Sequence, residues 1–155
     1  MKELFFCLTK NVKRSHQPKR KQIEAWLKAS LIKNYNNISI NIVIVSTQRS
    51  QELNLCYRNI DKPTNVISLE YPTSSPSESY HILMGDLILC DDIIVKEAQS
   101  QHKSIIEHYA HMIIHGMLHL QGLDHENTID AEHMEALEVS IMAQFGFANP
   151  YTLNQ

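Results

Sequence analysis

Three histidines stand in a spacing that suits a metal ion: His115, His119 and His125, in the run His115-Gly116-Met117-Leu118-His119-Leu120-Gln121-Gly122-Leu123-Asp124-His125. Positions 115 and 119 are four apart, so on a helix their side chains stack on one face, with Cβ atoms roughly 6 Å apart. Two imidazoles so placed can converge on one zinc ion at about 2.0–2.1 Å. Gly122 follows where such a helix must stop, because glycine readily takes the left-handed conformation that ends helices. The chain can then turn back and deliver His125 as a third ligand. Three protein ligands leave a fourth position open for water, which is the arrangement of a catalytic zinc rather than a structural one. One Zn²⁺ ion is therefore expected.

The chain holds nine histidines, and six of them lie between His102 and His125. On a helix starting after Ser104, the side chains of His108, His111, His115 and His119 fall within about 80° of arc. A lone histidine on such a face is ordinarily a satisfied core or surface residue. That is the expectation for His108 and His111, with orientation of a ligand as the alternative for His111. The spacing of the trio matches the histidines of the HExxHxxGxxH zinc proteases, with Gly122 at the turn. Gly116, however, stands where those proteases carry the glutamate that takes a proton from water. Two accounts of Gly116 are open: close packing against a strand or loop, or room for a bulky substrate.

The elements that must position these residues can be read from periodicity. Leu4–Leu8 reads as a strand, and Ile23, Trp26, Leu27, Leu31 and Ile32 recur at helical spacing, giving a helix from about Pro18 to Lys33. Ile38, Ile40, Ile42 and Ile44 alternate with other residues as a half-buried strand does. Ser46 or Thr47 can cap a helix to about Tyr57. Arg58 to Asn65 reads as a loop, Val66–Glu70 as a strand and Pro72–Ser79 as a mobile Pro- and Ser-rich loop. Leu87–Cys90 reads as a short strand introduced by Gly85-Asp86. A helix from Asp91 or Asp92 to about Gln101, the helix capped by Ser104, and a last helix from about Ile129 to Phe145 follow. Strands early and helices late predict an α+β fold, a small mixed sheet packed with helices, in one domain spanning residues 1–155.

Composition bounds the rest. A hydrophobic content of 43% and a charged content of 20% are ordinary for a globular chain. No apolar run approaches the roughly 20 residues that span a bilayer, so no membrane partner is expected. Cys7, Cys56 and Cys90 are odd in number and widely spaced, which suits free, buried thiols in a reducing compartment and points to the cytoplasm. The net charge of −3 hides an asymmetry: residues 1–62 hold 12 Lys/Arg against 4 Asp/Glu, and residues 63–155 hold 2 against 13. The basic excess is densest between Lys10 and Lys28. It reads either as a solvated face or as a phosphate-contacting surface.

The histidine run, His115-Gly-x-Leu-His119-Leu-x-Gly-x-Asp124-His125, resembles the signature of the YbeY family of bacterial zinc-dependent endoribonucleases. Three further blocks agree with it: Leu53 to Ser68 around Arg58, Gly85-Asp86-Leu87-Ile88, and Met134-Glu135-Ala136-Leu137-Glu138. The similarity runs from about Ile42 to Tyr151. The resemblance implies an α+β fold with a metal-site helix like that of the zinc proteases. It also implies a cytoplasmic, single-strand-specific endoribonuclease acting in ribosome biogenesis, in maturation of the 16S rRNA 3′ end and in ribosome quality control. Its partners would be rRNA and the ribosome or small-subunit ribosomal proteins. By position it makes His115, His119 and His125 the zinc ligands and Arg58 the family's functional arginine, with His115 and Arg58 as the catalytic pair.

On that reading zinc supplies hydroxide or polarises the phosphate. The planar fork of Arg58 would hold non-bridging oxygens. The bland alternative for Arg58 is an ion pair with Asp61 or Asp86. Asp124 could serve as a base or could orient His119 or His125. Two rival functions remain at this point: a zinc metalloprotease-like hydrolase, and a ribosome assembly factor with a structural zinc.

Overall fold

Alternating isoleucines build the centre of the sheet. The structure, a computed structural model, describes residues 3–72, 82–124 and 126–152. Along the chain run β1 (Glu3–Lys10), α1 (Arg20–Ala29), β2 (Asn37–Val45), α2 (Thr47–Arg58), β3 (Val66–Glu70), β4 (Ile82–Cys90), α3 (Asp91–Ser100), α4 (Ile105–Leu120) and α5 (Thr128–Gln144). The four strands lie in the order β1-β2-β4-β3. The first three are parallel to one another, and β3 pairs antiparallel with β4, Ser68 opposite Leu87. This is the expected α+β fold with a mixed sheet. Among the described residues no helix is long and apolar enough to cross a membrane.

One face of the sheet carries Ile38, Ile40, Ile42, Ile44, Leu83, Leu87 and Leu89, and α4 packs on it. Helices α1, α3 and α5 enclose α4 from its other sides. A helix apolar around nearly its whole circumference has to be buried, and Tyr109, Ile113, Ile114, Met117 and Leu118 of α4 are fully so. The opposite sheet face is covered in part by α2, over a smaller cluster of Val45, Ile67 and Ile88 with Leu53 against it.

Two elements differ from their sequence reading. Helix α1 stops at Ala29 although Leu31 and Ile32 continue its spacing. The cause is tertiary: the buried Gln121 side chain donates to the Ser30 carbonyl at 2.7 Å and accepts the Ile32 amide at 2.9 Å, pulling the chain off the helical path. Strand β4 begins at Ile82, so Gly85-Asp86 lies inside it rather than before it. Gly85 is there for a close approach, since a Cβ would sit 2.7 Å from the Leu69 carbonyl oxygen and 2.8 Å from Leu120 Cδ2. Of the segment read as a mobile loop, residues 73–79 lie outside the described residues. The three cysteines are free as expected, but Cys7 and Cys56 are exposed and only Cys90 is buried.

The start of α3 is fixed by a buried carboxylate. Asp91 is fully buried and receives Arg14 at 2.8 Å, His16 at 3.0 Å, Gln17 at 3.2 Å and the Tyr109 hydroxyl. These bonds tie the β1–α1 connection to α3 and α4. Burial pushes the Asp91 carboxyl up, but the hydrogen bonds from Tyr109, His16, Gln17 and Arg14 outweigh it and hold the group below its ordinary value. A carboxylate depressed in the folded state contributes stability above its unfolded pKa of about 3.9 and loses it as pH falls through the folded value. Asp91→Asn is therefore expected to cost about 2–4 kcal/mol at neutral pH. Its stability should also fall less steeply than that of the wild type below about pH 4. Urea unfolding of both proteins from pH 7 to pH 2 measures both effects.

Candidate active site

From His108 to Leu120 every residue of α4 is buried except His115 and His119, which are half-buried. Ser104 caps the helix by accepting the Glu107 amide at 3.0 Å. The chain leaves the helix at Gly122, which has φ +96° as the turn requires. A helix enclosed on its other sides thus opens to solvent through two imidazoles four residues apart. Their ring centroids lie 4.9 Å from each other.

Glu138 of α5 sets the orientation of the first of these rings. Its carboxylate is fully buried, takes His115 Nδ1 at 2.7 Å and His111 Nε2 at 2.6 Å, and accepts the Tyr151 hydroxyl. Burial alone would raise its pKa, but the hydrogen bonds from His111 and His115 outweigh burial and hold it at about 2. An ionised carboxylate only accepts, so both histidines must donate to it. His115 then carries a proton on Nδ1, which leaves Nε2 as the ring nitrogen that a metal would take. A carboxylate behind a histidine is the usual support of a metal ligand, so the residues present fit a divalent ion. Burial lowers the His111 pKa, against the raising effect of Glu138, which keeps that imidazole neutral.

Gly116 explains how α4 reaches the sheet. A Cβ there would lie 2.7 Å from Leu87 Cδ2 and 3.0 Å from Ser68 Oγ. Of the two accounts of this glycine, packing against a strand is the one observed. Ser68 of β3 donates its hydroxyl to the Gly116 carbonyl at 3.2 Å, and the Ser68 carbonyl accepts Arg58 Nη2 at 3.3 Å. Arg58 is therefore two hydrogen bonds from the residue next to His115. Its position is prepared by α2: Ser50 bonds the Thr64 carbonyl at 2.9 Å and Asn54 bonds the Lys62 carbonyl at 2.8 Å, pinning the connection to β3. Asn59, at φ +60°, ends the helix just after Arg58.

The ion pair that would have made Arg58 structural is not found among the described residues. Asp86 is taken by Asn41 and Tyr71, and Asp61 by Gln51. Hydrogen bonds through Ser68 thus connect Arg58 to α4 next to His115, with His119 one helical turn further on, whereas His125 lies outside the described residues. Asp124 accepts the Glu126 amide at 2.8 Å, closing the turn after α4. The basic segment is partly committed elsewhere: Arg14 pairs with Asp91 and Asp92, Arg20 stacks on Phe6 at 4.0 Å, and Lys28 pairs with Glu24.

The sequence reading missed Glu138 and Glu97 as partners of histidines. Glu97 accepts His108 Nε2 at 2.8 Å. A signal for Glu138 did exist: it stands among Met134, Ile141 and Met142 on the buried stripe of α5, and a glutamate is almost never fully buried without a partner.

The sequence model of the family described as endoribonuclease YbeY matches residues 7–146. Among solved structures, the solution structure of TM1509 from Thermotoga maritima is similar with 20% identity and a TM-score of 0.48, over 98% of this chain and 99% of that one.

Glu138→Gln tests the carboxylate at nearly constant volume. The amide cannot accept from both histidines, so the His115 tautomer is released. Affinity for Zn²⁺ is expected to fall about 10–100-fold, read by competition with a chromophoric chelator. Nitrogen chemical shifts of the metal-free protein should show His115 leaving the Nδ1–H form.

Proposed function

This chain belongs to the endoribonuclease YbeY family, and we propose that it is a zinc-dependent, single-strand-specific endoribonuclease that matures the small-subunit rRNA 3′ end and serves ribosome quality control. Membership makes it a hydrolase of RNA phosphodiester bonds in rRNA processing. The finer reading is supported by one observation above all: between His108 and Leu120, α4 is open to solvent only at His115 and His119, and Arg58 is hydrogen-bonded to the strand residue that binds Gly116. His115, His119 and His125 would hold one zinc ion, and the ribosome and its small-subunit proteins would be the partners, in the cytoplasm.

When bound, such an ion supplies Lewis acidity that polarises a phosphoryl oxygen and acidifies water near neutral pH. The chain's own residues do the rest. Glu138 holds His115 in one tautomer, so no reorganisation of that ring accompanies the reaction. Arg58 is exposed, always charged and bonded to protein through one backbone carbonyl, which leaves most of its donors for the non-bridging oxygens of the scissile phosphate. In RNA the neighbouring 2′-hydroxyl is a candidate nucleophile, and its attack leaves a cyclic phosphate end. Attack by water instead leaves an uncyclised phosphate.

Arg58→Ala is expected to lower RNA cleavage at least about 100-fold, as the loss of a group that stabilises developing charge does. Zinc content and melting temperature should stay at wild-type values, because Arg58 is exposed and, among the described residues, makes one 3.3 Å hydrogen bond. His119→Ala should lose zinc and cleavage together while staying folded. Metal analysis, calorimetry and cleavage of a single-stranded RNA with and without chelator decide both. Full activity of the chelated protein would overturn the zinc reading, and matched loss of stability and activity in Arg58→Ala would return that residue to a structural role.

A further inference from the structure

Behind the active-site histidines lies a cleft that the mechanism does not use. It has a volume of about 440 Å³ and opens between the end of α3, the first turns of α4 and residues 150–152. Asn65, Gln101, Lys103, His108, His111 and Tyr151 line it. Its inner wall is chemically unusual. His108 and His111 are 2% and 6% exposed, and each gives Nε2 to a carboxylate, that of Glu97 and Glu138. The Nδ1 atoms of both have no hydrogen-bond partner among the described residues. A buried polar atom without a partner costs free energy and calls for a reason. At the rim, Lys103 is half-buried and bonds the Pro150 carbonyl at 3.3 Å. Burial lowers its pKa against the pull of Glu107, Glu97 and Glu138, so its ammonium gains from an incoming anion.

The cleft adjoins the proposed site directly. The His111 ring stands 5.4 Å from the Tyr151 ring and 6.3 Å from the His115 ring. Glu138 joins all three through hydrogen bonds. Among the described residues no group of three ligating side chains stands there, which speaks against a cation as the occupant. Planar rings, side-chain amides and a half-buried ammonium are instead the groups that recognise an unstacked base and its phosphate. The volume lies within the usual range of small-molecule sites, about 300–1,000 Å³.

We propose that this cleft is a nucleotide subsite, which takes one nucleotide of the single-stranded RNA flanking the scissile bond, its base against the His108 and Tyr151 side and its phosphate on Lys103. The inference rests on the RNA-cleavage reading above and adds a position at which the substrate is held. Filling the subsite orders the strand across Arg58 and the histidines, so its loss weakens binding more than the chemical step.

The test has two arms. In the first, the zinc-loaded protein, Lys103→Met and His108→Phe cleave a short single-stranded RNA and a series carrying one abasic nucleotide at successive positions. Both variants should raise KM about five- to tenfold with kcat within about twofold. In the wild type one abasic position beside the cut should raise KM similarly, and in His108→Phe that position should no longer matter. In the second arm, adenosine 5′-monophosphate is titrated into the labelled protein, and amide shifts are expected at Gln101, Lys103 and Tyr151 and should vanish in Lys103→Met. Lys103→Met keeps the test open should His108→Phe fail to fold. Cleavage with unchanged KM in Lys103→Met and no footprint at the cleft overturns the subsite and leaves the nuclease reading intact. If the wild type cuts no RNA, the nuclease reading fails, and the footprint alone then decides whether the cleft binds a nucleotide.

Discussion

A buried carboxylate, Glu138, orders the histidine-bearing face of α4. Glu138 sits fully inside the protein between α4 and α5, and an unpaired charge there would cost several kcal/mol. It is tolerated because His111, His115 and Tyr151 all direct donors at it. The constraint runs both ways. The carboxylate stays ionised because the donors are present, and each donor is held in one orientation and one tautomer because the carboxylate is ionised. On the proposed reading, this leaves the other ring nitrogen of His115 as the one an ion would take. Prepared ligands bind more tightly than ones that must reorient, since no ordering free energy is spent on binding.

The second constraint is how closely α4 approaches the sheet. Gly116 and Gly85 remove the side chains that would separate the helix from β3 and β4, and Leu120 and Leu87 fill the space. The helix carbonyl at Gly116 comes within reach of Ser68, and β3 then carries Arg58 on its outer carbonyl. The zinc-protease pattern uses position 116 for a glutamate. Here that position faces the sheet and its backbone links the helix to the arginine.

Much of this was legible in the sequence, for identifiable reasons. The alternation of Ile38 to Ile44 admits only one strand register when one face is buried. The Ser104 cap, the four-residue histidine spacing and Gly122 are all local signals, and all three stand where they were read. The failures were tertiary. Helix α1 ends early because Gln121, some 90 positions later, takes the hydrogen bonds of Ser30 and Ile32. Gly85-Asp86 reads as the lead-in to a strand until β3 and α4 are seen pressing on Gly85 inside it. Glu138 belonged to a recognisable block, but which histidines it bonds depends on how α5 crosses α4, and no spacing within either helix encodes that.

The charge asymmetry shows the same limit from the electrostatic side. The basic first 62 residues and the acidic remainder suggest a cationic patch and an anionic one. In the fold the two halves are partly each other's counter-ions: Arg14 lies against Asp91 and Asp92, 77 and 78 positions away, and Arg20 is spent on the Phe6 ring and carbonyl. Cations already paired at short range are less available to neutralise phosphates and so displace few counter-ions from a polyanion. The field that draws RNA must come from those left exposed without a carboxylate partner among the described residues. Arg58 is one of these and is linked through Ser68 to α4, while Lys13, Lys19 and Lys21 lie on the β1–α1 side. Salt screens interactions between exposed charges more than about 10 Å apart and spares closer ones. Each Lys or Arg that meets a phosphate directly adds nearly one unit to the salt slope of RNA affinity, so the steepness of that slope follows the number of such contacts, whether from Arg58 or from Lys13, Lys19 and Lys21.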